Sequence, residues 1–194
     1  MKSINQTIRV SAIAFCLAFL TLVYGCQSTT PPVAEKPVED SSPQTAVAVI
    51  SSTSEPSTQM GEVRFIETDT GMLIEAEIKN APSGNHGFHI HEKGSCEDGG
   101  NAAGGHYNPD GVKHGNLIKD GFANAHAGDL GNIAVTENGT ATYNATIEGL
   151  TFNGEKYPID GLAVIVHEKP DDFGQPTGNA GGRIGCGVIK LTES

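Results

Sequence analysis

The 194-residue chain has no tryptophan, three methionines and only 12 basic residues against 23 acidic ones. With 37% apolar residues and no indole, any core is modest in volume. A formal charge of −11 argues against a nucleic-acid partner, because phosphate backbones are held by clustered Lys and Arg. The same charge repels small anions on average, so an anion site must be locally positive. No apolar run is long enough to span a bilayer comfortably. The longest, Val10 to Tyr24, has 15 residues. No stretch has the period of a long helix, and no internal repeat is evident. Cysteines number only four, at 16, 26, 96 and 186.

What is present divides into three parts. Residues 1–25 read as an export signal: Lys2 and Arg9 supply the positive start and Val10–Tyr24 the apolar stretch. The run ends Val23-Tyr24-Gly25-Cys26, which resembles the lipobox of bacterial lipoproteins, with Tyr24 departing from the small residue usual there. That resemblance implies lipidation of Cys26, a membrane anchor and an envelope or periplasmic location. Gln27 is not the Asp that retains lipoproteins at the inner membrane, which favours the outer one. The lipidated N-terminus and linker, 26–45, are rich in Ser, Thr, Pro and Glu and lack apolar periodicity, as expected of an extended spacer.

The third part, residues 46–194, reads as strands and turns. Residues 71–80 alternate, with Met72, Ile74, Ala76 and Ile78 on one face and Leu73, Glu75, Glu77 and Lys79 on the other. Thr68-Asp69-Thr70-Gly71 before them is a hairpin signal. Val63 and Phe65 are in phase in the preceding run, Ile66 out of phase. Further short strands are expected over 46–50, 87–93, 132–137, 140–148, 162–168 and 185–191. Together they predict an all-β domain, an eight-stranded antiparallel barrel or sandwich. Two long loops, roughly 94–129 and 169–184, interrupt it, and loops of that length in a compact domain are usually functional.

Histidine is the outstanding feature. Six of the seven lie between His86 and Asp129. Residues two apart on a strand share a face, so His89 and His91 point together while Phe88 and Ile90 point into a core. His167 ends the β-branched run 162–167, which places an imidazole at a rigid sheet edge. His106, His114, His126 and Asp129 supply three imidazoles and a carboxylate, a complete tetrahedral zinc set. A lone strand histidine is more often packed than ligating, but a dense group in one tract plus one strand end reverses that. Cys96 and Cys186, distant in sequence within an exported domain, suit a disulfide.

Several motifs together carry a family resemblance. They are Gly87-Phe88-His89-Ile90-His91-Glu92, Gly105-His106-Tyr107-Asn108-Pro109, 126–132 from His126 to Asn132, Val166-His167-Glu168-Lys169, and 178–189 around Arg183 and Cys186. Over roughly residues 46–192 the chain resembles the copper/zinc superoxide dismutase family. The resemblance implies a Greek-key barrel and dismutation of superoxide. It implies copper held by His89, His91, His106 and His167, and zinc by His106, His114, His126 and Asp129, with His106 shared. It also implies that the His106 bridge opens during turnover and that its freed nitrogen takes up a proton. Asp171 would link His89 to His114, Cys96 would pair with Cys186, and Arg183 would guide the anion. His86, three before His89 and out of phase, is set aside as a support. Family members include monomers and dimers, so a homodimer stays open. A copper- and zinc-buffering protein on the same fold is the competing reading, but such a protein has no use for Arg183. The loop 169–184 is short for the family, and its only cations are Lys169 and Arg183. Activity is therefore expected to fall less steeply with ionic strength than in lysine-rich relatives.

Overall fold

The computed structural model describes residues 43–55 and 57–193. The expected signal segment, Cys26 and most of the expected linker lie outside the described residues. Eight strands form one antiparallel sheet that curls towards closure: β1 (Thr45–Ser52), β2 (Gln59–Thr68), β3 (Gly71–Ile78), β4 (Gly84–His91), β5 (Asp129–Val135), β6 (Ala141–Ile147), β7 (Ala163–His167) and β8 (Arg183–Val188). Their spatial order is β5-β4-β7-β8-β1-β2-β3-β6, and a two-residue β9 (Lys190–Leu191) pairs with β1. The strand expected over 185–191 is thus broken at Ile189, whose side chain is buried. Among the described residues no helix is long and apolar enough to cross a membrane.

The alternation in β3 does what its pattern dictates: Met72, Ile74, Ala76 and Ile78 are buried. Val63 and Phe65 of β2 join them, and Ile66 is paired with Leu73 on the outer face. The hairpin closes with Thr68 opposite Gly71. Between β5 and β6, Tyr143 donates its hydroxyl hydrogen to the Leu130 carbonyl at 3.0 Å and packs edge-on against Phe88. These contacts tie together the two ends of the sheet.

Two inner strands are buried on both faces, and that is what builds the site. In β4, Phe88 and Ile90 enter the barrel core while His89 and His91 face outward, yet all four are at most 1% exposed. β7 is buried throughout and lies between β4 and β8, so His167 sits at the end of an inner strand, not at the sheet edge expected for it. The long loops cover this outer face. Beneath them Ile165, Ala163 and Ala103 form a small second core around the Cys96–Cys186 disulfide. The expected loop over 94–129 contains only two short helical turns, Asn101–Ala103 and Leu117–Asp120.

Candidate metal centre

Strand pairing puts the first three imidazoles side by side. His89 lies opposite Ile165 and His91 opposite Ala163 across β4–β7, and His167 lies opposite Arg183 across β7–β8. His106 comes from the covering loop and bridges to His91. The candidate ligand atoms of His89, His91, His106 and His167 lie within 4.8 Å of one another, and so do those of His106, His114, His126 and Asp129. All seven residues are buried. His106 belongs to both groups, its ring centroid 4.1 Å from that of His89 and 5.2 Å from that of His114.

The hydrogen bonds orient each ring. His91 donates Nδ1–H to the Gly104 carbonyl at 3.0 Å, leaving Nε2 3.3 Å from Nε2 of His167. Two ring nitrogens at that separation suit a common metal about 2.0–2.1 Å from each. His89 donates Nε2–H to Asp171 Oδ2 at 2.9 Å, and its Nδ1 is buried with no partner. A buried unpaired nitrogen costs about 1–3 kcal/mol, which a metal would relieve. In the second group, Asp129 Oδ1 is 2.8 Å from His106 Nδ1 and 3.1 Å from His126 Nδ1. Asp129 Oδ2 accepts the main-chain N–H groups of Gly115 at 3.0 Å and His126 at 2.9 Å. His114 Nδ1 lies 2.9 Å from the same Oδ2, yet out of line for a hydrogen bond, so it too is unpaired. The donor sets therefore fit two metals, one held by nitrogen alone and one by three nitrogens and an oxygen.

Charge follows from burial and contacts in the metal-free protein. Burial holds the His91, His167 and His106 rings neutral, pushing them down to about 2, about 3 and about 4, and it lowers His89 as well. Neutral imidazole is the ligating form. His114 differs. Burial works to lower it, but the Asp129 carboxylate 2.9 Å from Nδ1 and the hydrogen bond to Asp171 prevail and raise it to about 9. Burial also works to raise the two carboxylates, and the imidazoles bonded to them hold both well below the usual carboxylate range. A metal held at His114 would need its neutral ring, so binding there would be linked to loss of a proton.

Arg183 stands at the mouth. Its guanidinium donates to the carbonyls of Gly100 and Gly104, the second at 2.6 Å. It lines a cleft of about 180 Å³ with His91, His106, His167, Thr177 and Asn179. Larger grooves of about 350 and 390 Å³ lie on the outer face of β2, β3 and β6 and contain no histidine.

The family is settled by comparison. A family model of copper/zinc superoxide dismutase matches residues 59–189. This chain belongs to the copper/zinc superoxide dismutase family. The Cu-Zn superoxide dismutase A of Xenopus laevis is 44% identical over 137 residues, 66% of this chain and 87% of that protein. An extracellular Cu-Zn superoxide dismutase of Drosophila melanogaster is 41% identical over 140 residues, 68% of this chain and 75% of that protein. The crystal structure of the clock protein EA4 superposes with a TM-score of 0.67 at 35% identity, covering 79% of this chain and 98% of that one. The enzyme is an oxidoreductase that dismutes superoxide to dioxygen and hydrogen peroxide, with copper and zinc as cofactors.

Three groups that the sequence did not announce complete the dismutase site. The Gly104 carbonyl serves both His91 and Arg183. Asn132 clamps the main chain of Asp171, accepting its N–H at 2.7 Å and donating to its carbonyl at 2.9 Å. Gly178 has φ +77°, and a Cβ there would lie 1.9 Å from Asp171 Oδ1 and 2.7 Å from His114 Nε2. Gly178→Ala should therefore cost about 1–3 kcal/mol in backbone strain. It should also displace Asp171 from His114, read as a lower denaturation midpoint together with faster zinc loss to a chelator. His86, by contrast, belongs to neither four-residue group, its ring nitrogens 2.8 Å from the His167 carbonyl and 2.9 Å from that of Pro82.

Proposed function

We propose that His89, His91, His106 and His167 hold the copper, that His106, His114, His126 and Asp129 hold the zinc, and that Arg183 draws superoxide into the cleft. The observation that carries this reading is His106, which is common to both four-residue groups. Bound copper supplies the one-electron couple that oxidises one superoxide and reduces the next, while zinc has no redox chemistry and supplies structure and charge.

The chain's own residues do the rest. Asp171 holds His89 by Nε2, which frees Nδ1 for metal, and Gly104 holds His91 by Nδ1, which frees Nε2. Arg183 spends two of its donors on Gly100 and Gly104 and keeps three for an anion. Fixed this way, it is a preformed positive charge that an arriving superoxide meets without reorganisation. His106 is the group that would take up a proton on its copper-side nitrogen and hand it to the peroxide product. A metal-buffering protein needs the two histidine groups and has no use for Arg183.

Arg183→Ala tests the assignment. Superoxide consumption should fall by about 10-fold or more while copper and zinc contents stay at the wild-type level. An unchanged rate at unchanged metal content contradicts the role of Arg183.

We also propose that the chain is exported, cleaved before Cys26, lipidated there, and tethered by the linker to the outer membrane, where it removes extracytoplasmic superoxide. Support comes from the Val10–Tyr24 run ending at Gly25-Cys26, from a disulfide, a cross-link commonest in oxidising compartments, and from relatives named as extracellular enzymes. Intact mass of the protein from the membrane fraction should give a chain beginning at Cys26 with an added lipid. An unmodified soluble chain beginning elsewhere contradicts it.

A further inference from the structure

We propose that Gln175 is a positioning residue of the zinc centre, acting through the main chain of His114. The inference rests on the reading of His114 as a zinc ligand. Gln175 lies in the connection between β7 and β8, four residues after Asp171 and 61 residues from His114. Its Oε1 accepts the His114 main-chain N–H at 3.2 Å, and its Nε2 donates to the His114 carbonyl at 2.9 Å. One carboxamide thus satisfies both polar groups of one residue, as a neighbouring strand would. The pairing leaves no choice of which end is oxygen.

Asp171 alone cannot fix this ligand. It grips the far nitrogen of the ring, Nε2, at 2.9 Å and leaves the Cα free to shift while the ring pivots. Gln175 fixes the Cα, and the ring of Phe173 lies parallel to that of His114 at 6.4 Å and 16°. A five-residue segment, 171–175, therefore holds His114 by its ring tip and its backbone, with the Phe173 ring alongside. The segment is itself anchored. Asn132 clamps Asp171, the Asp172 N–H bonds to the Gly178 carbonyl at 2.9 Å, and the Gly178 N–H bonds to the Gly174 carbonyl at 2.7 Å.

The same turn continues into Thr177 and Asn179, which line the cleft beside Arg183. Zinc at His114 and the wall of the superoxide cleft are joined through Gln175. A loop with few lysines is used here to brace the zinc side. Because Gln175 is solvent-exposed, its two hydrogen bonds add little to the stability of the fold, and their effect concentrates on where His114 stands.

The test uses the full chain loaded with copper and zinc. Zinc release to a chromogenic chelator is timed for wild type, Gln175→Leu, Gln175→Glu and His114→Ala. Gln175→Leu, similar in size and without polar ends, should release zinc about 10-fold faster, the lower end for residues that support metal ligands. Gln175→Glu keeps the acceptor for the His114 N–H and loses the donor, so it should fall between. Copper content and the unfolding midpoint of the metal-free protein should match wild type in both. With cobalt(II) in the zinc site, the visible absorption bands of Gln175→Leu should shift, reporting changed ligand geometry. Zinc release within twofold of wild type overturns the proposal, as does an equal loss of stability in the metal-free protein, which marks a general structural role. His114→Ala separates the two readings. If that variant holds zinc as wild type does, the zinc assignment falls and this inference with it. If His114→Ala loses zinc and Gln175→Leu does not, this inference falls alone.

Discussion

Replacing His106 with Ala should reduce superoxide consumption to the rate of buffer and weaken the binding of both metals in one step. His106 is the one residue shared by the two candidate ligand groups. Its removal leaves three nitrogens on one side and two nitrogens with a carboxylate on the other. It also strips Asp129 Oδ1 of its 2.8 Å partner inside the protein, and an under-satisfied buried group costs about 1–3 kcal/mol. His86→Ala is the matched control. It removes a buried imidazole from β4, one whose ring nitrogens meet the carbonyls of Pro82 and His167. That variant should lose stability and keep both metals. Copper and zinc contents, measured beside activity, separate the two outcomes. Equal metal contents in His106→Ala and wild type would remove His106 from the site.

The second large effect is on stability. Cys96 and Cys186 are joined across 90 residues, and a cross-link closing a loop of that length stabilises by about 4–5 kcal/mol on chain entropy alone. Cys186→Ser should recover most of that figure as a loss, reduced by residual structure in the unfolded chain. The bond also matters to the cleft. It pins the loop that bears Gly100 and Gly104 against β8, and those two carbonyls hold Arg183. It lies in the small core of Ala103, Ala163 and Ile165 under the loop. Cys186→Ser should therefore lower activity as well, even at full copper occupancy, by loosening Arg183. Denaturation of the metal-free protein gives the first effect, and rate per copper gives the second. A midpoint equal to that of the oxidised wild type would contradict this account of the disulfide.

How far the sequence foretold this depends on the distance over which each feature is decided. β3 was legible because alternation is local: Met72, Ile74, Ala76 and Ile78 can bury only one face of a pleated strand. The same parity rule separated His89 and His91 from Phe88 and Ile90, and set His86 with the core-facing residues. β4 and β7 were harder. Both are buried on two faces, and nothing in Ala163–His167 says that a loop covers its outer side. The break at Ile189 was missed because a buried isoleucine between strands reads like one inside a strand.

At the site, the histidines were visible because they are chemically conspicuous and the motifs around them are specific. The groups that orient them were not. The Gly104 carbonyl has no side chain to read. Gln175 reaches a residue 61 positions away, and only the folded arrangement of the two loops brings them together. Asn132 ends the motif that begins at His126, but its clamp on Asp171, 39 residues on, is likewise a product of tertiary contact.

Catalysis by copper held in this particular site is the centre of the account, and one measurement addresses it. The full chain is loaded with copper and zinc, and the decay of a superoxide pulse is followed against protein concentration, beside His89→Ala and the zinc-only protein. The account predicts a rate proportional to bound copper in wild type, with His89→Ala and the zinc-only protein at the rate of buffer. A fully loaded wild type no faster than buffer, or a His89→Ala variant as fast as wild type, would contradict it.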